Sequence, residues 1–311
     1  MIITVTLNPS IDKTLKIDNF TVNSVFRAEI VGQNPGGKGI NVSRAVKKLT
    51  GLTTALLLIG GPEGKEIVDK LKKEGIDYHS VDVSGQSRTC YGIIDPLRKT
   101  ETVINEPGPF VSEEPLSRFI SLYDETIRSD DLVALSGSAP LGIRKDIYYD
   151  LITIAKRKKA YTVVDTSGDY LHKAIEAIPD IIKINRRELE NLFHCSLSTY
   201  EDIIDKSRVL LQKGIARVIV TQGKNTALAL THDYVYTVTP PSVNAINTWG
   251  CGDSFVAGLC YILDREKADS FEKALAWAAA ASAHNTLSFG AGFINRDEVV
   301  KLIEKVQIEM W

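Results

Sequence analysis

Asp253 stands at the end of the stretch Asn247-Thr248-Trp249-Gly250-Cys251-Gly252 and directly ahead of the apolar run that begins Ser254-Phe255-Val256-Ala257-Gly258. Three backbone N–H groups, at Gly250, Cys251 and Gly252, would open a helix there and form a pocket for an anion. An acid in a first helical turn is common for capping reasons alone, but this one adjoins that pocket. Donors for the charge on a transferring phosphoryl group, next to a base for an alcohol proton, are what phosphoryl transfer to a hydroxyl needs. Ala257 and Gly258 would let the following helix pack closely beneath the site, with the small-residue stretch 276–283 as its neighbour.

A second glycine cluster, Gly36, Gly37 and Gly39, also precedes an expected helix, so backbone could approach a ligand there. Taken alone, a tight turn is the plainer reading. The cluster lacks the G-x-x-x-x-G-K-[ST] spacing of a P-loop, and no G-x-G-x-x-G follows the first expected strand, which argues against a nicotinamide dehydrogenase.

The elements that must position these residues alternate in type. Near-continuous β-branched and apolar runs at 2–7, 54–60, 132–138, 161–165, 181–185 and 216–223 predict strands covered on both faces, hence a mostly parallel sheet. Helices are expected near 39–49, 64–74, 113–128, 144–158, 169–177, 186–193 and 200–213. After residue 223 the pattern changes to a hairpin over 226–238 and then to helical segments near 252–264, 269–286 and 296–308. Segments 13–35 and 87–105 alternate apolar and polar residues and are expected to form a small flap outside the main sheet. The fold class is α/β, read as one domain over 1–311. Ligands in such sheets bind beyond the carboxyl ends of the strands, where this chain concentrates its glycines and unusual polar residues.

With 311 residues, 44% hydrophobic and 24% charged, and a formal net charge of -2, the composition is that of an ordinary globular chain with no global attraction for nucleic acid. Neither a signal-peptide pattern nor an apolar run of spanning length is present, so the cytoplasm is the expected address and no membrane partner is expected. The 4 cysteines form no C-x-x-C pair and the 5 histidines no ligand array, which indicates neither a zinc site nor a disulfide framework.

Thr6-Leu7-Asn8-Pro9-Ser10-Ile11-Asp12, Pro35-Gly36-Gly37-Lys38-Gly39-Ile40-Asn41, Ser136-Gly137-Ser138-Ala139-Pro140, Lys183-Ile184-Asn185-Arg186-Arg187-Glu188, Val220-Thr221-Gln222-Gly223 and Asn247 to Gly258 occur in an order, spread over nearly the whole chain, that resembles the ribokinase-like carbohydrate kinases of the phosphofructokinase B group. Within it the chain is most similar to the 1-phosphofructokinase and tagatose-6-phosphate kinase branches. The resemblance implies a three-layer α/β/α fold with a small β-sheet lid and ATP-dependent phosphorylation of a ketohexose phosphate. Fructose 1-phosphate is the expected substrate, with tagatose 6-phosphate or fructose 6-phosphate as alternatives. ATP and Mg2+ are the implied cofactors, a monovalent cation is a further candidate, and a homodimer through the lid is the implied assembly.

By position, the resemblance makes Asp253 the general base and Gly250, Cys251 and Gly252 the anion hole. Asp12, Gly37, Lys38 and Asn41 would hold the sugar, and Arg27, Arg88 and Ser138 its existing phosphate. On the nucleotide side, Lys183 and Asn185 lead to Glu188, which would organise Mg2+ mainly through water. Thr221, Gly223 and Lys224 would run along the ATP phosphates, with Asn285, Gly290 and Gly292 near adenine. Three positions depart from the group's habit: Thr226 stands where Gly is usual, Trp249 where Thr or Val is usual, and Cys251 where Ala or Ser is usual. A non-catalytic sensor on the same scaffold is the rival from another class, and the joint presence of Asp253, the glycine loop and Glu188 argues against it.

Overall fold

The computed structural model describes residues 1–266 and 270–310. In chain order the first half runs β1 (Ile2–Thr6), β2 (Ser10–Lys16), β3 (Glu29–Gly36), α1 (Lys38–Lys48), β4 (Thr53–Ile59), α2 (Gly61–Lys73), β5 (Asp77–Asp82), β6 (Arg88–Asp95), β7 (Thr100–Asn105), α3 (Glu113–Thr126), β8 (Leu132–Ser136) and α4 (Ile147–Arg157). The second half runs β9 (Tyr161–Asp165), α5 (Gly168–Glu176), β10 (Ile181–Asn185), α6 (Arg186–Phe193), α7 (Tyr200–Gln212), β11 (Arg217–Gln222), β12 (Asn225–Leu230), β13 (Val235–Thr239), α8 (Cys251–Glu266), α9 (Phe271–Asn285), α10 (Arg296–Ile303) and β14 (Gln307–Met310).

A ten-stranded sheet has the order β14-β13-β12-β11-β10-β9-β8-β1-β4-β5. Pairings from β5 through β11 are parallel, and those from β11 to β14 antiparallel. Because side chains alternate along a strand, Ile3, Val5, Val133 and Leu135 enter one apolar layer with Phe119, Leu151 and Leu210 from α3, α4 and α7. Ile2, Leu132 and Ala134 enter the other, against Val42 of α1, Val256 and Leu259 of α8 and Ala278 of α9. The result is the expected helix-sheet-helix layering. Strand order reverses at β1, whose neighbours β4 and β8 carry the chain in opposite directions, and a crevice opens at such a switch point.

The small sheet, of order β3-β2-β6-β7, stands apart from the main one, as the alternating segments predict. It begins at Ser10 rather than 13, so Asp12 belongs to it, and its second strand ends at Gly36.

Two further expectations need correction. The helix expected near 296–308 stops at Ile303, and the chain enters β14, where Ile308 is partly buried while Gln307 and Glu309 are exposed. That two-residue alternation beside β13 outweighs helical propensity. The polar edge strand β5 has no counterpart among the expected strands. The helix expected from 269 starts at Phe271, and residue 269 itself lies outside the described residues. Among the described residues no helix is long and apolar enough to cross a membrane.

Candidate active site

Gly250 turns the chain into α8 with φ +77, a conformation that disfavours side chains, and a Cβ there would lie 2.2 Å from Ala291 Cβ. This turn places Asp253 in the first turn of α8, 5% exposed. Close packing holds the helix in place: a Cβ on Gly258 would fall 2.5 Å from the Trp277 carbonyl oxygen of α9. The expected approach of the two small-residue helices is therefore real.

Asn41 Nδ2 donates to Asp253 Oδ2 at 2.7 Å. Burial pushes the Asp253 carboxyl up to about 6, with Lys38 and the Asn41 bond opposing and Asp165 adding to the rise. A carboxylate poised there suits a general base at neutral pH. Asn41 is itself oriented by Arg44, whose Nη1 donates to Asn41 Oδ1 at 3.0 Å and to the Ala291 carbonyl at 2.8 Å. The Arg44 guanidinium, fully buried, also donates to Pro35 O at 2.5 Å and to Glu74 Oε2 at 2.7 Å, and lies over the Phe293 ring.

Behind the base, the Asp165 carboxylate at the end of β9 accepts from Lys38 Nζ at 2.9 Å and Lys183 Nζ at 3.3 Å. Burial alone would raise its pKa, but Lys183 and Lys38 outweigh that and hold it below the usual range. For Lys38, burial pulls the pKa down, and Asp165, Asp253 and Glu188 together raise it. Lys38 thus stays charged beside the helix start. A Cβ on Gly252 would sit 2.8 Å from Lys183 Nζ, so glycine is what lets the ammonium reach the loop. Sequence reasoning placed neither Arg44 nor Asp165 in the site. The faint signals were an arginine one turn after Asn41 and an acid at a strand end.

These groups face a cavity of about 470 Å3 lined by Asp12, Arg88, Gly37, Lys38, Asn41, Ser138, Lys183, Asn185, Gly250, Gly252 and Asp253. Asp12 reaches in from β2, accepting from Ser10 Oγ at 2.5 Å, across a bare Gly36 whose Cβ would collide with it. Burial raises the Asp12 pKa, against the Ser10 bond, Arg44 and Arg88. Arg88 is anchored by its Nε on the Asn8 carbonyl at 3.2 Å and by Nη1 on Glu106 O at 3.3 Å. Arg27 is placed otherwise. It is exposed on the loop between β2 and β3 and is not among the residues lining this cavity.

A second, smaller cavity lies on the far side of Gly252, which lines both. Its walls include Thr221, Gly223, Asn225, Pro240, Cys251, Phe255, Ala279 and Ser282. Lys224 is exposed in the turn after Gly223 and does not line it. Thr226, where Gly is usual, lies inside β12 without positive φ, its hydroxyl 2.9 Å from that of Thr239, so a β-branched residue is accommodated there without backbone strain.

Asn285, expected near adenine, is fully buried as a brace. It donates to the Trp249 carbonyl at 2.7 Å and accepts from Ser254 Oγ at 3.0 Å and Gly292 N at 2.8 Å. Gly290 and Gly292 lie against Phe293 and α1, not in the second cavity, where Ala279 and Ser282 represent α9. The Cys251 N–H turns back toward Thr248 O at 3.4 Å, leaving Gly250 and Gly252 as the loop's members in the larger cavity. Burial pushes the Cys251 thiol up to about 11, so it is un-ionised at neutral pH.

Glu188 and Asn185 form a capping box on α6, with Asn185 N donating to Glu188 Oε2 at 2.8 Å and Glu188 N to Asn185 Oδ1 at 2.9 Å. Among the described residues no group of three or more His, Cys, Asp or Glu could hold a metal ion. One carboxylate near a phosphate pocket fits a magnesium ion carried mainly by nucleotide oxygens and water.

A model of the family described as pfkB family carbohydrate kinase matches residues 5–298. The chain is 35% identical over 260 residues to the 1-phosphofructokinase of Bacillus subtilis strain 168, covering 83% of this chain and 84% of the relative. It is 32% identical over 320 residues to a tagatose-6-phosphate kinase of Staphylococcus epidermidis, covering 99% and 100%. Escherichia coli phosphofructokinase-2, solved in complex with substrates and products, matches with a TM-score of 0.91 at 27% identity over 97% of this chain and 98% of that one. The fold is the ribokinase-like one expected.

Proposed function

Because this chain belongs to the pfkB family of carbohydrate kinases, we propose that it transfers the terminal phosphoryl group of ATP to the 6-hydroxyl of fructose 1-phosphate, giving fructose 1,6-bisphosphate. The observation that carries this reading is the position of Asp253: buried, oriented by Asn41, and one residue from Gly252, the wall common to both cavities. The sugar phosphate takes the larger cavity, with Arg88 and Ser138 at its phosphate and Asp12 and Asn41 at its hydroxyls. Arginine's planar fork matches phosphate oxygens. The nucleotide takes the smaller one, along Thr221 and Gly223.

Asp253 accepts the hydroxyl proton as that oxygen bonds to phosphorus, and the bond to the ADP oxygen breaks with its electron pair leaving on ADP. The Gly250 and Gly252 N–H groups and Lys183 meet the charge on the transferring group, preorganised before reaction begins. Glu188 would order the water around a nucleotide-bound Mg2+, which would supply charge neutralisation there. Chain 1–311 acts as one kinase domain, with the small sheet closing over the sugar and limiting ATP hydrolysis. Exposed Ile30 on β3 and Ile104 on β7, the edge strands of that sheet, support a homodimer through it. Sedimentation as a monomer at assay concentrations would refute the dimer.

Tagatose 6-phosphate, phosphorylated at its 1-hydroxyl, is the second reading, favoured by the 32% identity over 99% of the chain. A 1-phosphate reacting at O6 and a 6-phosphate reacting at O1 present the same two ends in reverse, so Arg88 and Asp253 serve either. An ADP-release assay with ATP and Mg2+ compares kcat/KM for fructose 1-phosphate, tagatose 6-phosphate and fructose 6-phosphate. A preference of about 100-fold, roughly 2.7 kcal/mol of transition-state binding, identifies the substrate; a 6-phosphate winner reverses the sugar. Asp253→Asn should lower kcat by about 10²–10⁴, and near-normal turnover would remove Asp253 as base.

A further inference from the structure

We propose that Glu101 and Trp249 form a latch through which the seating of the small sheet sets the shape of the phosphate loop, making both of them positioning residues; the kinetic half of this proposal rests on the kinase reading above. On β7, Glu101 Oε2 accepts from Thr248 N at 3.1 Å and from Thr248 Oγ1 at 2.8 Å. One residue on, the Trp249 indole lies on β6 where Gly92 leaves the backbone bare: a Cβ there would be 2.4 Å from the ring. Gly92 pairs with Val103 of β7, and Val103 and Trp249 both line the larger cavity.

The same short segment is tied to the body from the other side. The Trp249 carbonyl accepts from Asn285 Nδ2 at 2.7 Å, Trp249 N donates to Asn247 Oδ1 at 2.8 Å, and Asn285 in turn holds Ser254 of α8. Gly250 follows immediately at φ +77 and leads into Gly252 and Asp253. Few soft dihedrals separate Thr248 from the anion-binding turn. Moving the small sheet off the body breaks two hydrogen bonds and an aromatic contact and leaves the loop entry to its body-side partners, Asn285 on the Trp249 carbonyl and Asn247, whose N donates to Thr286 O at 3.3 Å and whose Nδ2 donates to Ser288 O. A side chain of Trp249's size is required for the reach to β6, which gives this departure from the smaller residue expected at 249 a mechanical role. Loop geometry optimal for phosphoryl transfer is thus reached only with the sheet in place, which couples sugar enclosure to catalysis.

The test compares Glu101→Ala, Glu101→Gln and Trp249→Val. Amide hydrogen exchange of the full chain without substrates should rise at least about tenfold in Glu101→Ala across both 88–105 and 247–252. Glu101→Gln should track the parent, since its amide oxygen still accepts from Thr248. In the ADP-release assay with the preferred sugar phosphate, Glu101→Ala and Trp249→Val should each lower kcat about tenfold with the KM for ATP within about twofold, and the double variant should lose little more than either single one. The proposal is overturned by faster exchange in 88–105 alone, by equal behaviour of the Ala and Gln variants at 101, or by fully additive losses. If the parent turns over none of the three ketohexose phosphates, the functional reading fails, and the exchange pattern still decides the coupling.

Discussion

Replacing Asp253 with Asn should remove turnover and at the same time stabilise the unliganded protein at neutral pH. Burial pushes the carboxyl up to about 6, from 3.8 for an ordinary aspartate, after the opposing pulls of Lys38 and Asn41 and the addition of Asp165. Between those two values the folded chain holds a proton that the unfolded chain has released. Stability from this group is therefore fully present below about pH 4, falls as pH rises, and is lost above about pH 6. At roughly 1.4 kcal/mol per pH unit, the gap of about 2 units amounts to about 3 kcal/mol by pH 8. Asparagine resembles the protonated acid: its carbonyl oxygen can accept from Asn41 and it never ionises. Urea unfolding of parent and variant at pH 4, 6 and 8 should show a gain near zero at pH 4 that grows to about 1–3 kcal/mol at pH 8. Equal gains at pH 4 and pH 8, or a loss at pH 8, would refute the claim that this site holds its base at the expense of stability.

Asn41→Leu removes a hydrogen bond that favours the ionised base, so the acid limb of the kcat/KM profile should move up by roughly one pH unit or more. The substrate phosphate also titrates near pH 6, but it does so equally for both proteins, so an unmoved midpoint counts against Asn41 as the group tuning Asp253. Gly258→Ala forces a Cβ to within 2.5 Å of the Trp277 carbonyl, and unfolding should be about 1–3 kcal/mol easier, less up to about 1 kcal/mol of helix propensity. A variant as stable as the parent would show that α8 and α9 part freely. Chelation by EDTA should abolish turnover while leaving the Tm of the nucleotide-free protein unchanged; a fall in Tm would reveal a metal built into the fold.

What the sequence disclosed follows how local each signal is. The Gly250 to Asp253 turn, the Gly36-Gly37 bend and the alternating strands of the small sheet depend on neighbouring residues, and all three were legible. Asp165 and Arg44 acquire meaning only when distant segments converge. The first meets Lys38 and Lys183 across strands, and the second spans Asn41, Pro35, Glu74 and Ala291. Asn285 was singled out, but burial and three backbone or hydroxyl partners make it a brace for the loop, a distinction that residue type does not carry. At the chain's end, Val306-Gln307-Ile308-Glu309 allows either period over so few residues, and the open edge of β13 decides for a strand.

Asp12 and Arg88 belong to the small sheet, whereas Asn41, Lys38 and Asp253 belong to the body. On the proposed reading the sugar would be grasped by two jaws, and neither jaw alone would hold the whole set of contacts. Any dissociation constant measured for it is the intrinsic one divided by the fraction of molecules with the jaws shut. A substitution outside the cavity lining that shifts this equilibrium would then weaken apparent affinity for all sugars by the same factor and leave their ranking untouched.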